Sequence, residues 1–137
     1  MKGRCFCGGV SFEFEGPLSD IQICHCTRCQ RATGSAFAAE VRVPADQFHW
    51  RSGEDLIAHF DAPVLRSPPG YRRSFCTRCG SMVPVIPTDR SIVCIPTGLI
   101  EGAISARPVE HIWFEKRANW LDFSQLDALP KLEGDPS

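Results

Sequence analysis

Apolar and polar residues alternate with a period of two along several short stretches of this chain. Val10-Ser11-Phe12-Glu13-Phe14-Glu15 is the clearest, and it predicts a half-buried strand stopped by Gly16-Pro17. Ile21 and Ile23 lead a second strand into Cys24, and Phe37 to Val43 reads as a third, ended by Pro44. Pro44 to Phe48 predicts one helical turn, since proline fits a helix start. Further strands are expected over residues 56–60, 92–95 and 111–115, while residues 72–75 lead into the second Cys-Thr-Arg-Cys and 82–86 lead out of it. Residues 32–35 and 52–55 read as turns, and the prolines and glycine of 61–70 mark a surface loop. Long helical periodicity is absent. The fold class expected is mainly β with little helix, folded sheets in a single domain over residues 1–124. A poorly ordered tail is expected over residues 125–137.

Composition narrows the class. With 137 residues, 43% of them hydrophobic, and a net charge of −1, the chain suits one domain with a real core. No charge asymmetry points to nucleic acid or to an anionic membrane surface. No run approaches the roughly 20 apolar residues of a membrane span, and Met1-Lys2-Gly3-Arg4-Cys5 does not read as a signal peptide. A cytoplasmic location is therefore expected. In a reducing compartment, clustered cysteines more often hold metal than form bridges.

The eight cysteines carry the candidate chemistry. Three lie within Cys24-His25-Cys26-Thr27-Arg28-Cys29, two in Cys5-Phe6-Cys7-Gly8, and two in Cys76-Thr77-Arg78-Cys79-Gly80. Such spacings suit tetrahedral zinc bound through thiolates at about 2.3 Å. A glycine directly after the second cysteine supplies the positive φ such a turn often needs, and both outer pairs have one. Cys5, Cys7, Cys76 and Cys79 thus make a plausible closed site. Cys24, Cys26 and Cys29 would leave a second zinc an open position, as catalytic sites do. The spacing alone equally allows other pairings among the three clusters.

The remaining candidates read more plainly. If Cys24 to Cys26 is extended, His25 points away from the sulfurs, which suits a group behind the ligands or facing a substrate better than a ligand. Cys94, between Val93 and Ile95, reads as a buried core cysteine. His49 and His59 lack ligand spacing, and His111 reads as a packing or hydrogen-bonded residue.

These motifs resemble the glutathione-dependent formaldehyde-activating enzyme family, which includes the centromere protein V type. The matching segments are Gly3 to Val10, Cys24 to Phe37 and Phe75 to Ser81, with a weaker match from Pro108 and His111 to Trp120. The resemblance implies a β-rich fold of the Mss-four type. It implies two zinc ions, a structural one on Cys5, Cys7, Cys76 and Cys79 and a catalytic one on Cys24, Cys26 and Cys29. It further implies a carbon–sulfur lyase, with glutathione and formaldehyde, or a similar thiol and small aldehyde, as partners. Arg28, Arg31 and His25 are the candidate substrate contacts, since arginine forms bidentate pairs with carboxylates. Arg72 and Arg73 are weaker candidates of the same kind. The alternative from another class is a zinc-stapled binding module with no catalysis at the second site.

Overall fold

The computed structural model describes residues 1–63, 70–86 and 91–135. In chain order the first strands are β1 (Lys2–Arg4), β2 (Ser11–Phe14), β3 (Ile21–Cys24), β4 (Ala38–Pro44) and β5 (Phe48–Ser52). They are followed by β6 (Ile57–Ala62), β7 (Tyr71–Cys76), β8 (Met82–Val83), β9 (Ile92–Pro96) and β10 (Pro108–Ile112). Two short helices, α1 (Thr27–Thr33) and α2 (Phe123–Leu126), complete the regular structure apart from single 3-10 turns. The expected mainly β class is what the chain adopts.

The strands form three small sheets, in the orders β1-β2-β5, β10-β3-β4-β9 and β6-β7-β8. Neighbours are antiparallel except β10, which runs parallel to β3. The main core lies between the first two sheets. Phe12, Phe14 and Phe48 meet Ile21, Val41, Val43, Val93 and Ile95 there. A smaller cluster of Cys5, Val10, Cys76 and Val83, backed by Trp50 and Leu56, joins the first sheet to the third.

Side chains alternate across a strand, so the second sheet has two chemically different faces. Its odd-numbered positions in β3, β4 and β9 bury the apolar set against the phenylalanines. The even-numbered ones (Gln22, Cys24, Glu40, Arg42 and Cys94) face the third sheet across a cavity. The cavity-lining residues of this sheet are therefore the other half of the same alternation that makes the core.

Two elements depart from the sequence expectation. Helix α1 occupies a stretch read only as a turn at 32–35. Cys26 caps it by accepting the Cys29 N–H through its sulfur, and Gly34 ends it in the left-handed conformation. Two turns of helix are too short to show a period. The expected strand at 111–115 instead spans β10, because Trp113, at φ 55, diverts the chain into a 3-10 turn. The segment that leaves the second Cys-Thr-Arg-Cys forms the two-residue β8, with Val85 bridging to Cys94. Of the loop expected over 61–70, residues 64–69 lie outside the described residues, as do the last two residues of the tail.

Gly53 is the one glycine whose exchange the packing forbids on two counts. Its φ is +80, and a Cβ there would lie 2.1 Å from the Gly9 carbonyl oxygen. Positive φ alone costs an ordinary residue about 1–3 kcal/mol. Gly53→Ala should therefore lower the thermal unfolding midpoint by more than about 5 °C. An unchanged midpoint in a calorimetric scan would show that the β5 turn does not brace the Gly9 backbone.

Candidate metal centre and its cavity

The four outer cysteines converge. The sulfurs of Cys5, Cys7, Cys76 and Cys79 all lie within 4.8 Å of one another, with Cys5–Cys7 at 3.6 Å and Cys7–Cys76 at 3.9 Å. Sulfurs at the corners of a zinc tetrahedron stand about 3.8 Å apart, given Zn–S near 2.3 Å, whereas a disulfide needs about 2.05 Å. The donor set therefore fits zinc. Backbone N–H groups aim at the sulfurs, Val10 N–H at Cys5 (3.3 Å) and Gly9 N–H at Cys7 (3.4 Å). They would satisfy lone pairs that a bound ion leaves free. Gly8 (φ 79) and Gly80 (φ 78) turn the chain directly after Cys7 and Cys79. Ser81, through its hydroxyl and its N–H, holds the Cys79 thiol down at about 5.

Cys24, Cys26 and Cys29 form the second group, again within 4.8 Å, and no fourth carboxylate, imidazole or thiol joins them among the described residues. Cys24 ends β3, Cys26 caps α1, and Cys29 sits one turn into that helix, buried. The same Cys-Thr-Arg-Cys peptide thus folds in two ways. With glycine after it, at 76–79, it makes a tight turn; with Gln30 after it, at 26–29, it opens a helix. The Gln30 amide then donates to the carbonyls of His25 (2.8 Å) and Lys116 (2.9 Å), tying the ligand loop to the C-terminal segment.

Donors from β7 stand over Cys29. The Arg73 guanidinium reaches its sulfur at 3.2 Å and the Tyr71 hydroxyl at 3.3 Å. Arg73 is itself fixed, donating to Tyr71 Oη (2.8 Å) and pairing with Glu40 (2.6 Å). The hydrogen bond from Cys24 and then, against burial, those of Tyr71 and the charge of Arg73 pull the Cys29 thiol down to about 6. Its neighbours go the other way: Cys24 is raised chiefly by its hydrogen bond with Cys29, and Cys26 chiefly by burial. Arg73 and Tyr71 carried little or no weight in the sequence, because nothing in a strand's pattern says which sulfur it will face.

A cavity of about 200 Å³ opens beside these sulfurs, with Cys24, Cys29, Tyr71 and Arg73 in its wall. Cys94 also lines it and is half-buried, so it is not the core residue expected. It alternates with Val93 and Ile95, which take the core face. Arg28 and Arg31 lie elsewhere, along a second hollow on the far side of Tyr71 and Arg73. Arg28 donates to the Pro63 carbonyl (2.6 Å) and lies over the Tyr71 ring. Arg72 also borders the first cavity, held bidentately by Asp61.

His25 does not reach any of this. It is 0% exposed, its ring among Phe37, Phe114 and Phe123, with Nε2 2.8 Å from His111 Nδ1. A substrate-facing His25 is thus corrected: the extended Cys24–Cys26 segment turns it into the back of the site. Burial, with help from His111 and Arg117, depresses its pKa and keeps it neutral. His111 is the hydrogen-bonded packing residue expected. His49 is exposed, and His59 bonds Ser74 at 2.7 Å.

Comparison with known sequences and structures places the chain in a family and identifies a solved structure of like fold. The sequence pattern of a family described as glutathione-dependent formaldehyde-activating enzyme matches residues 1–116. No curated protein matches the chain. A crystal structure of a Rhodobacter sphaeroides protein, a structural genomics target, superimposes with a TM-score of 0.58 at 18% identity. It covers 80% of this chain and 100% of its own, a likeness of fold.

Two expectations follow from the sulfur groups. Cys76→Ser should prevent stable folding, because it breaks a staple between distant parts of the chain; a folded variant with an unchanged melting curve would contradict this. Three thiolates around a divalent ion carry a net negative charge, which the Arg73 cation offsets. Arg73→Gln should weaken the second zinc about 10–100-fold in chelator competition, leaving the first untouched. Arg73→Lys should recover part of the loss.

Proposed function

The chain belongs to the glutathione-dependent formaldehyde-activating enzyme family, and on that premise we propose that it joins a small thiol to a small aldehyde, and reverses that step. Glutathione and formaldehyde are the substrates we assign. The observation that carries this reading is the three-sulfur group of Cys24, Cys26 and Cys29, set in a cavity wall and without a fourth protein ligand among the described residues. A structural site would be closed.

In the addition, the thiol sulfur bonds to the carbonyl carbon, the carbonyl π bond breaks, and the thiol proton ends on the new hydroxyl oxygen. Zinc, when bound, supplies Lewis acidity and favours thiolate over thiol. The chain's own contribution is a fixed set of donors. Arg73, locked by Glu40, and Tyr71 already meet negative charge on sulfur at Cys29. Donors held in place before reaction lower the cost of charge developing in a water-poor site. The cavity admits a small aldehyde and the thiol-bearing part of a peptide. No helix among the described residues is long and apolar enough to cross a membrane.

The test combines metal content with exchange kinetics. We expect two zinc ions per chain and faster interconversion of glutathione, formaldehyde and their adduct in two-dimensional exchange NMR. Cys26→Ser should keep one zinc and the fold while losing at least about 100-fold of the acceleration, the scale of a metal's contribution. A Cys26→Ser protein that unfolds would make the central group structural and favour the binding-module reading. Unaccelerated exchange by a two-zinc protein would overturn the enzyme assignment.

A further inference from the structure

The cavity beside the sulfurs has a second pole. Three guanidinium groups border it, from Arg42, Arg72 and Arg73. Two are already engaged, Arg72 with Asp61 and Arg73 with Glu40 and the Cys29 sulfur. Arg42 is different. Its Nη1 donates to the neutral Gln22 Oε1 at 2.8 Å, and among the described residues no carboxylate pairs with it. Gln22 is in turn held by Glu110, to which its amide donates at 2.7 Å. Serine brackets the Arg42 backbone, since Ser19 Oγ accepts its N–H (2.8 Å) and Ser19 N–H donates to its carbonyl (3.1 Å). The side chain is thus aimed and fixed, with its charge left for something else.

The separation suits a particular kind of ligand. Gln22 and Cys24 share one face of β3, two residues and so about 7 Å apart. A guanidinium resting on Gln22 therefore stands on the order of 7 Å from the sulfur group. In glutathione the glycyl carboxylate lies six bonds from the sulfur, about 7 Å when extended. A thiol placed at Cys24 and Cys29 would bring that carboxylate to Arg42.

Resting on the thiol reading above, we propose that Arg42, oriented by Gln22, is the specificity residue that anchors a carboxylate of the thiol substrate. The preferred thiols are then those carrying a carboxylate about one residue beyond the sulfur. Arg28 and Arg31 line the other hollow, which has none of the three sulfurs in its wall, so they do not take this role.

The test uses zinc-loaded protein and two probes, glutathione and its glycyl amide, which replaces that carboxylate with a neutral group of the same shape. Calorimetric titration of the wild type should show glutathione binding about 10–100-fold more tightly than the amide, the scale of one charge-assisted hydrogen-bonded pair. Arg42→Gln should lose that factor for glutathione and bind the amide as the wild type does. Arg42→Lys should keep a fraction of the preference, and both variants should melt as the wild type does. Arg42→Gln that still prefers the acid, or that loses both probes equally, overturns the anchor. A wild type that binds both probes alike also overturns it and leaves the thiol reading standing. A wild type that binds neither overturns both.

Discussion

Four sulfurs that meet from segments some 69 residues apart impose a demand that side-chain packing alone does not meet. The apolar cluster around them is small, two valines with half-buried Trp50, Leu56 and Ile57, and closing a loop of that length has an entropic cost that must be offset. Four thiols at mutual distances near 4 Å also repel one another once they ionise. A divalent cation held there would reverse the sign of that interaction and turn the convergence into a cross-link. The first and third sheets, and with them the strand that carries Tyr71 and Arg73, would then depend on it for their relative position. Such a staple would set the distance between β7 and the second sulfur group without taking part in that group.

The second sheet converts this placement into chemistry. Its core face is apolar, so a slip of one residue would exchange the valines for Glu40 and Arg42 and is strongly disfavoured. Register is thus fixed by the buried half, and the polar half inherits it. Glu40 is where Arg73 needs an acid, and Cys24 is where the ligand loop begins, because Val41, Val43 and Ile21 admit only one alignment. Packing supplies the precision that a site on a free loop would lack.

Much of this was legible in the sequence. The strand readings placed β2, β3, β4 and β9, although the apolar run at 92–95 hid which face Cys94 would take, and glycine after Cys7 and Cys79 marked the two tight turns. The lack of a glycine after Cys29 set that copy of the tetrapeptide apart from the one before Gly80, though not as helix against turn, since seven residues carry too little pattern. What stayed hidden is what depends on pairing between strands distant in sequence. Arg73 and Tyr71 belong to the third sheet, and their sulfur contact exists only because the sheets are stapled together. Arg28 and Arg31 looked better placed because adjacency in sequence was visible. On a helix, however, residues neighbouring a ligand project to other faces, and both line the hollow behind Tyr71.

The back of the site shows the same logic at one residue. His25 sits between two candidate ligands, the most suggestive position for a ligating imidazole, yet it is enclosed by three phenylalanines. Its Nδ1 has no partner among the described residues, and an N–H buried without an acceptor costs more than a bare lone pair. The tautomer with the proton on Nε2, donated to His111, is therefore the one the pocket favours. That leaves a neutral ring bonded to β10, packed on helix α2 through Phe123, with the backbone carbonyl taken by Gln30. Each of these contacts restrains the segment from Cys24 to Cys26 from behind. The histidine contributes to the sulfur group by keeping its loop still, and the C-terminal strand and helix are part of the site because they form the wall it leans on.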